Sequence, residues 1–380
     1  MSLQFITGNS GNGKTKYLFN RIVKEAKANP RDNYLVIVPE QFTMQTQRQL
    51  VDLSENKAIM NIDVLSFKRL AYRVFDELGI TNLTVLEETG KNLVLRKLAA
   101  QEADKLGVIG RNLNRIGYIS EVKSLLSELV QYNISPEELG RYIASGRLSD
   151  TLSDKLKDVL VLYEAFEKFM QDKYITAEEI LNVLSNVAEE SAILRNSVIA
   201  FDEFTGFTPI QNQLIKKLFV ISKKIYVTLT IDCREDIFKS RGMQELFDMP
   251  KRTVKSLTEM AAFYGIEVEE PIILDKNYRL AENEELSFME QQLFRKRRCS
   301  FKKAPKHIHI DCLRDPKQEL TKIARRINEL VRNENLRYRD IAIVTGDVNI
   351  YAGYVREIFD KYNIPYFIDA TQAVSYTHLT

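Results

Sequence analysis

Hydrophobic and polar positions follow two different rhythms along this chain, and the change between them divides it. In residues 1–80 short apolar runs alternate with helical faces. Leu3–Thr7 reads as a strand. Thr15–Ala28 reads as a helix with Leu18, Ile22, Val23 and Ala26 on one face, stopped by Asn29-Pro30. Tyr34–Val38 is a continuous apolar run, the pattern of a parallel strand buried on both faces, and Asp63–Phe67 is a further short strand. Strand, helix and strand in this order predict a parallel sheet.

From residue 85 to residue 190 the helical period dominates. Val94, Leu95 and Leu98 form one stripe, Val122, Leu125, Leu126 and Leu129 a second, and Leu156, Val159, Leu160, Leu162, Tyr163 and Phe166 a third. With strand signals nearly absent, the segment predicts an all-helical insertion in the α/β domain. Strand character returns at Ser197–Phe201 and Ile225–Ile231. A second α/β pattern comes after these: Ile308–Ile310, a helix around Glu319–Val331, Ile341–Val344, a helix around Tyr351–Tyr362, and Tyr366–Ile368. So few strands predict the beginning of a domain. The expected divisions are 1–84 together with 191–294, the insertion 85–190, and 295–380. Residues 374–380 carry no clear pattern and are not read as a native terminus.

Composition narrows the class. A chain of 380 residues accommodates two or three domains, and 44% hydrophobic with 28% charged residues argues for a packed core and against disorder. The balance of 54 Lys+Arg against 52 Asp+Glu is close to neutral, so only local patches can speak for a nucleic-acid partner. No apolar run of membrane-spanning length occurs, and the early strand leaves no room for a secretory signal. Cys233, Cys299 and Cys312 are widely spaced with no C-x-x-C pair, which suits a reducing cytoplasm and neither a disulfide framework nor a cysteine metal site.

The candidate chemistry begins at residues 8–15. Gly8, Asn9, Ser10, Gly11, Asn12, Gly13, Lys14 and Thr15 complete the phosphate-binding pattern G-x-x-x-x-G-K-[ST], with a strand before and a helix after. Glycines let the backbone approach a phosphate closely, and a helix N-terminus turned towards it supplies N–H donors. Lys14 would reach the β- and γ-phosphates of ATP, and the Thr15 hydroxyl would sit on Mg²⁺. The second half of such a site is a carboxylate at the end of a neighbouring strand. Ser197–Phe201 with Asp202 and Glu203 at its end offers it: Asp202 on the Mg²⁺ side, Glu203 as the general base for an attacking water. The alternative is an ordinary acidic strand-to-loop turn.

The segment that begins at Asp202 is more specific. DEFTGFTPIQNQL (202–214) resembles motif II of superfamily 1 DNA helicases of the UvrD/Rep type, whose layout also inserts a helical subdomain into the first motor domain. DCREDIFKSRG (232–242) is similar to that family's motif III, and LDKNYR (274–279) to motif IV, which implies a γ-phosphate contact for Arg279. Thr205, Gly206 and Glu235 depart from the family's Gln, Asp and Gln, and the adenine-contacting Gln segment has no room ahead of the loop. The phosphate-holding residues are kept where those coupling hydrolysis to movement are changed, so motor activity is expected to be weak or lost. Together with VPEQFT (38–43), VLSFKRLAYRVF (64–75) and FTGFTPIQ (204–211), the chain resembles the B subunit of the bacterial ATP-dependent helicase/deoxyribonuclease, AddB-type, to about Asp369.

The resemblance implies a P-loop parallel sheet of superfamily 1 helicase type with a helical insertion and the start of a second RecA-like domain. It implies a heterodimer with a motor-bearing A subunit, cytoplasmic and nucleoid-associated, processing double-strand breaks. DNA ends and single-stranded DNA, including the Chi sequence, would be its partners, with no membrane. The family's nuclease domain and its 4Fe-4S cluster are expected only in a C-terminal part beyond this fragment. Ser66, Lys68 and Arg69 are either a backbone-gripping loop with Phe67 and Tyr72 stacking on bases, or a helix start with surface charges and core aromatics. The basic run at 295–306 reads as a solvated linker before a phosphate-neutralising patch, and His307 and His309 as a solvated strand face rather than metal ligands. Two other readings stay open: a self-sufficient phosphate-loop ATPase or kinase, and a scaffold with a vestigial nucleotide site.

Overall fold

The computed structural model describes residues 1–81, 84–108, 116–145, 148–170, 174–295 and 299–369. Two compact units are distinguished, Met1–Glu284 and Glu285–Thr380.

The first unit is built on β1 (Ser2–Gly8), α1 (Lys14–Ala28), β2 (Tyr34–Ile37), α2 (Thr43–Leu53), β3 (Ile62–Leu65) and α3 (Phe67–Leu78). After a helical stretch, β6 (Val198–Phe201), α9 (Pro209–Ile221), β7 (Lys224–Thr230), α10 (Asp248–Phe263), β8 (Glu267–Val268) and β9 (Ile272–Leu274) complete it. The sheet order is β3-β2-β6-β7-β1-β8, with β9 also beside β1, and every ladder is parallel. Period-two side-chain alternation divides the core between the sheet's two faces. Leu3, Phe5, Leu35, Ile37, Ile199 and Phe201 pack on one face, together with residues of α3, α9 and α10. Ile6, Tyr34, Val36, Ala200 and Tyr226 pack on the other, together with residues of α1 and α2. Double burial explains why the strands read as unbroken apolar runs. The third strand ends two residues earlier than its apolar pattern: Ser66 caps α3, accepting from Arg69 N at 3.2 Å, so Phe67 opens a helix.

The intervening segment holds α4 (Glu88–Gln101), α5 (Ile116–Gln131), α6 (Pro136–Ala144), α7 (Asp150–Met170) and α8 (Ile180–Val187). Leu95, Leu126, Leu162 and Phe166 belong to a core of its own, whereas Ile180 and Leu184 of α8 belong to the α/β core. Two-residue strands β4 (Val85–Leu86) and β5 (Ile175–Thr176) pair with each other, so the segment is not wholly helical. No helix among the described residues is long and apolar enough to cross a membrane.

A short helix, α11 (Glu284–Gln292), starts at the boundary between the units. In the second unit α12 (Pro316–Asn333) and α13 (Val348–Lys361) pack through Leu320, Ala324, Ile327, Ile358 and Phe359. The strands expected at 308–310, 341–344 and 366–368 do not form: no described residue after Leu274 lies in a strand. A strand exists only through its ladder partners, and these segments have none among the described residues. Ile310, Val344 and Phe367 are accordingly 94%, 92% and 89% exposed. Residues 296–298 of the basic run, and 374–380, lie outside the described residues.

Candidate functional site

β1 delivers the chain into the glycine loop, and α1 leaves it. Gly8 admits no side chain, because a Cβ there would stand 2.5 Å from the Leu274 carbonyl oxygen of β9. Gly11 has φ +89°, and a Cβ there would stand 2.8 Å from both Arg279 and Asn277. Gly13, at φ +78°, caps α1 without any side-chain hydrogen bond, and the first turn carries no acid. The helix therefore offers its free N–H groups and positive end to the loop. Lys14 Nζ donates to the carbonyls of Gly8 and Asn9, each at 3.0 Å. Burial lowers its pKa, against the opposing pull of Glu203 and Asp202.

The carboxylates arrive from β6. Asp202 is 1% exposed. Its Oδ1 accepts from Thr15 Oγ1 at 3.3 Å and from Thr228 Oγ1. Its Oδ2 is buried with no hydrogen-bond partner among the described residues. Burial pushes its pKa up to about 6, although the Thr228 hydrogen bond works the other way. Glu203 Oε1 accepts from the same Thr15 hydroxyl at 3.3 Å, on a backbone at φ +64°. Left-handed backbone is uncommon outside glycine and clusters at functional sites. A buried carboxylate oxygen left unpaired by the described residues, beside a hydroxyl, is suited to a cation, and a lysine whose amine is turned to its own loop's carbonyls is suited to an anion.

One cleft of about 870 Å³ unites these groups: Ser10, Gly11, Gly13, Lys14, Thr15, Asp202, Glu203 and Arg279 all line it, with Gln45 and Gln49 of α2. Gly8, Asn9 and Asn12 lie behind the loop. Asn9 Oδ1 accepts from Cys233 N at 2.9 Å, and Asn12 Nδ2 donates to Leu274 O at 2.5 Å. Arg279 Nη1 donates to Ser10 Oγ at 3.3 Å. Two neighbours, Thr228 and Asn277, are not singled out as site residues by the sequence, although Asn277 lies within the LDKNYR segment. Thr228 is found only through register, since Phe201 pairs with Val227 and Asp202 follows Phe201. Asn277 stands two residues before Arg279, and its amide donates to Ser10 O at 3.0 Å.

The departures from the helicase pattern have visible partners. Glu235 is ion-paired at 2.7 Å with Lys251 of α10, which is 4% exposed and also meets Glu245 at 3.2 Å. Thr205 O accepts from Thr253 of α10 at 3.2 Å. A Cβ on Gly206 would stand 3.3 Å from the Thr253 hydroxyl, so a larger residue there would press on α10.

Among the DNA-contact candidates, Phe67 follows the second alternative, a core aromatic at a helix start. It is 7% exposed and packed against Phe201, Phe204 and Phe207, with ring centroids 5.5 to 6.3 Å away, so its ring is a core ring with no face for a base. Ser66 donates to Glu40, and Arg69 Nε pairs with the same carboxylate at 2.9 Å. Lys68 is exposed and Tyr72 is 39% exposed.

A protein-family model described as ADDB, N-terminal, matches residues 5–290. The chain is 38% identical over 374 residues to the B subunit of the ATP-dependent helicase/deoxyribonuclease of Lachnoclostridium phytofermentans, covering 97% of this chain and 32% of that protein. It is 33% and 34% identical to the proteins of the same name from Clostridium tetani and Clostridioides difficile, again over 97% of this chain and 32% of theirs. It therefore spans about a third of the length of these curated relatives. With a match running from residue 5 to residue 290, well over half of its length, the chain belongs to the ADDB N-terminal family.

Proposed function

We propose that this chain is the nucleotide-binding, helicase-like part of the B subunit of a heterodimeric ATP-dependent DNA helicase/exonuclease. The observation that carries the reading is the meeting of the loop at 8–15, the carboxylates of Asp202 and Glu203, and Arg279 around one cleft. In this reading the sheet is a phosphate-loop sheet of superfamily 1 helicase type. Residues 1–84 and 191–294 form its first motor-like domain, 85–190 the helical insertion, and 295–380 the beginning of a second.

ATP and Mg²⁺ suit the residues present. The loop N–H groups and Lys14 would hold the β- and γ-phosphates, and Arg279, at the loop's mouth, would contact the γ-phosphate. Thr15 and Asp202 would hold Mg²⁺, which when bound would neutralise phosphate charge. Glu203 orients a water and accepts its proton at the carboxylate. Glu235, tied to Lys251, stands where a glutamine would link phosphate to DNA, so hydrolysis and movement are poorly coupled. The whole protein, with its A subunit in the cytoplasm, processes double-strand breaks for recombination, contacts single-stranded DNA and recognises Chi. Lys68, Arg69 and Tyr72 remain the exposed candidates for that contact.

The test is Mg·ATP binding by the full-length protein. Lys14→Ala should weaken it tenfold or more, taking a charge-assisted contact as worth about 1.5–3 kcal/mol. Equal, weak binding by both proteins would mean a vestigial site. Retention on single-stranded DNA should fall steeply with salt, and retention indifferent to salt would count against the DNA role.

A further inference from the structure

The turn after β9 lies along the glycine loop and is fastened to it at several points. Asn12 Nδ2 donates to Leu274 O, Tyr278 N donates to Gly11 O at 3.0 Å, and Asn277 Nδ2 donates to Ser10 O at 3.0 Å. The other side of the Asn277 amide accepts from Arg279 N at 3.1 Å and Leu280 N at 3.0 Å. Only one orientation of the amide satisfies all three bonds, since its nitrogen only donates and its oxygen only accepts. Gly11 is the counterpart: any side chain there would collide with the Asn277 amide oxygen at 2.8 Å.

We propose that Asn277 is a positioning residue of the nucleotide site, clipping the 274–280 turn onto the phosphate loop and so setting Arg279 at the loop's mouth. This rests on the nucleotide-binding reading above. One end of the amide closes the turn that carries Arg279, and the other grips the backbone of Ser10, whose hydroxyl takes the Arg279 guanidinium. Loop and arginine therefore share one support, and the group that depends on it is the one facing the terminal phosphate.

The experiment compares Mg·ATP and Mg·ADP binding by the full-length protein and its variants. Asn277→Ala removes both ends of the clip. Asn277→Ser keeps a short neutral acceptor for the turn but cannot reach Ser10, and carries the test where the alanine variant does not fold. Both should lower the preference for ATP over ADP by about tenfold, with smaller effects on ADP itself. In an Arg279→Ala background, adding Asn277→Ser should cost no further preference. A serine variant with wild-type preference, losses equal for ATP and ADP, or losses additive with Arg279→Ala would overturn the assignment. If Lys14→Ala binds as well as wild type, the nucleotide-binding reading fails and this one with it. If Lys14→Ala abolishes binding while Asn277→Ser changes nothing, only the clip fails.

Discussion

Asp202 is a residue whose charge works against the fold that holds it. Its folded pKa, about 6, lies above the ordinary 3.8, because burial disfavours the ionised form. Between those values the folded chain binds more protons than the unfolded one, so stability falls as pH rises from about 4 through about 6, and the penalty is fully present above. Two pKa units correspond to about 3 kcal/mol. Asp202→Asn should therefore raise the denaturation midpoint at pH 8, leave it nearly unchanged at pH 4, and remove Mg²⁺-dependent nucleotide binding. A lower midpoint at pH 8 would show that the carboxylate is not a burden. The acidic pair itself was legible as the end of an apolar strand. Thr228, which shares the Asp202 oxygen with Thr15, was not, because it is one of two threonines in an apolar strand until the β6–β7 register sets it beside Asp202.

At the scale of elements, a buried amine of α10 joins it to the segment after β7, beside the hydrogen bond from Ser240 to Asp248. Lys251 Nζ lies between Glu235 and Glu245, and the two carboxylates raise its pKa against the effect of burial, which is the largest influence on it. Removing a buried partner and leaving its counter-charges costs about 3 kcal/mol. Lys251→Met should lower stability to chemical denaturation by roughly that amount and expose amides at the start of α10 to hydrogen exchange. A change under about 0.5 kcal/mol would mean that water already shields the pair. Elements with strong periodicity were legible to within a residue or two: Leu3–Thr7 lies inside β1, and Thr15–Ala28 lies inside α1. β8 and β9 were not, since two and three residues around Glu269-Glu270-Pro271 are too short to carry a period. The segments at 308–310, 341–344 and 366–368 erred in the opposite sense. Their apolar character was real, but a strand is a relation between segments, and composition reports only one side of it.

At the scale of the whole chain, each unit carries its own core, but they differ in what they leave uncovered. The first buries its central strands β1, β2, β6 and β7 on both faces and exposes single apolar side chains such as Met60 and Phe263, whereas the second adds Ile310, Val344 and Phe367, exposed in segments with the apolar character of strands. Residues 1–380 should therefore self-associate with rising concentration more than residues 1–284. Val344→Lys with Phe367→Lys should reduce the difference in light scattering, and no reduction would remove those side chains as its cause. The sheet order has a further consequence, measured in time. Ser2 pairs with Lys224, some 220 residues later, and β1 has no ladder with β2 or β3, the strands made soon after it. At roughly 5–20 residues per second, a ribosome spends on the order of ten seconds or more between the two. For that interval β2 and β3 can already zip together while β1 waits with its backbone unpaired. The phosphate loop, which depends on β1 before it and on Leu274 and Asn277 beside it, is thus synthesised ahead of β2 and β3 yet completed only after the chain has reached Asn277.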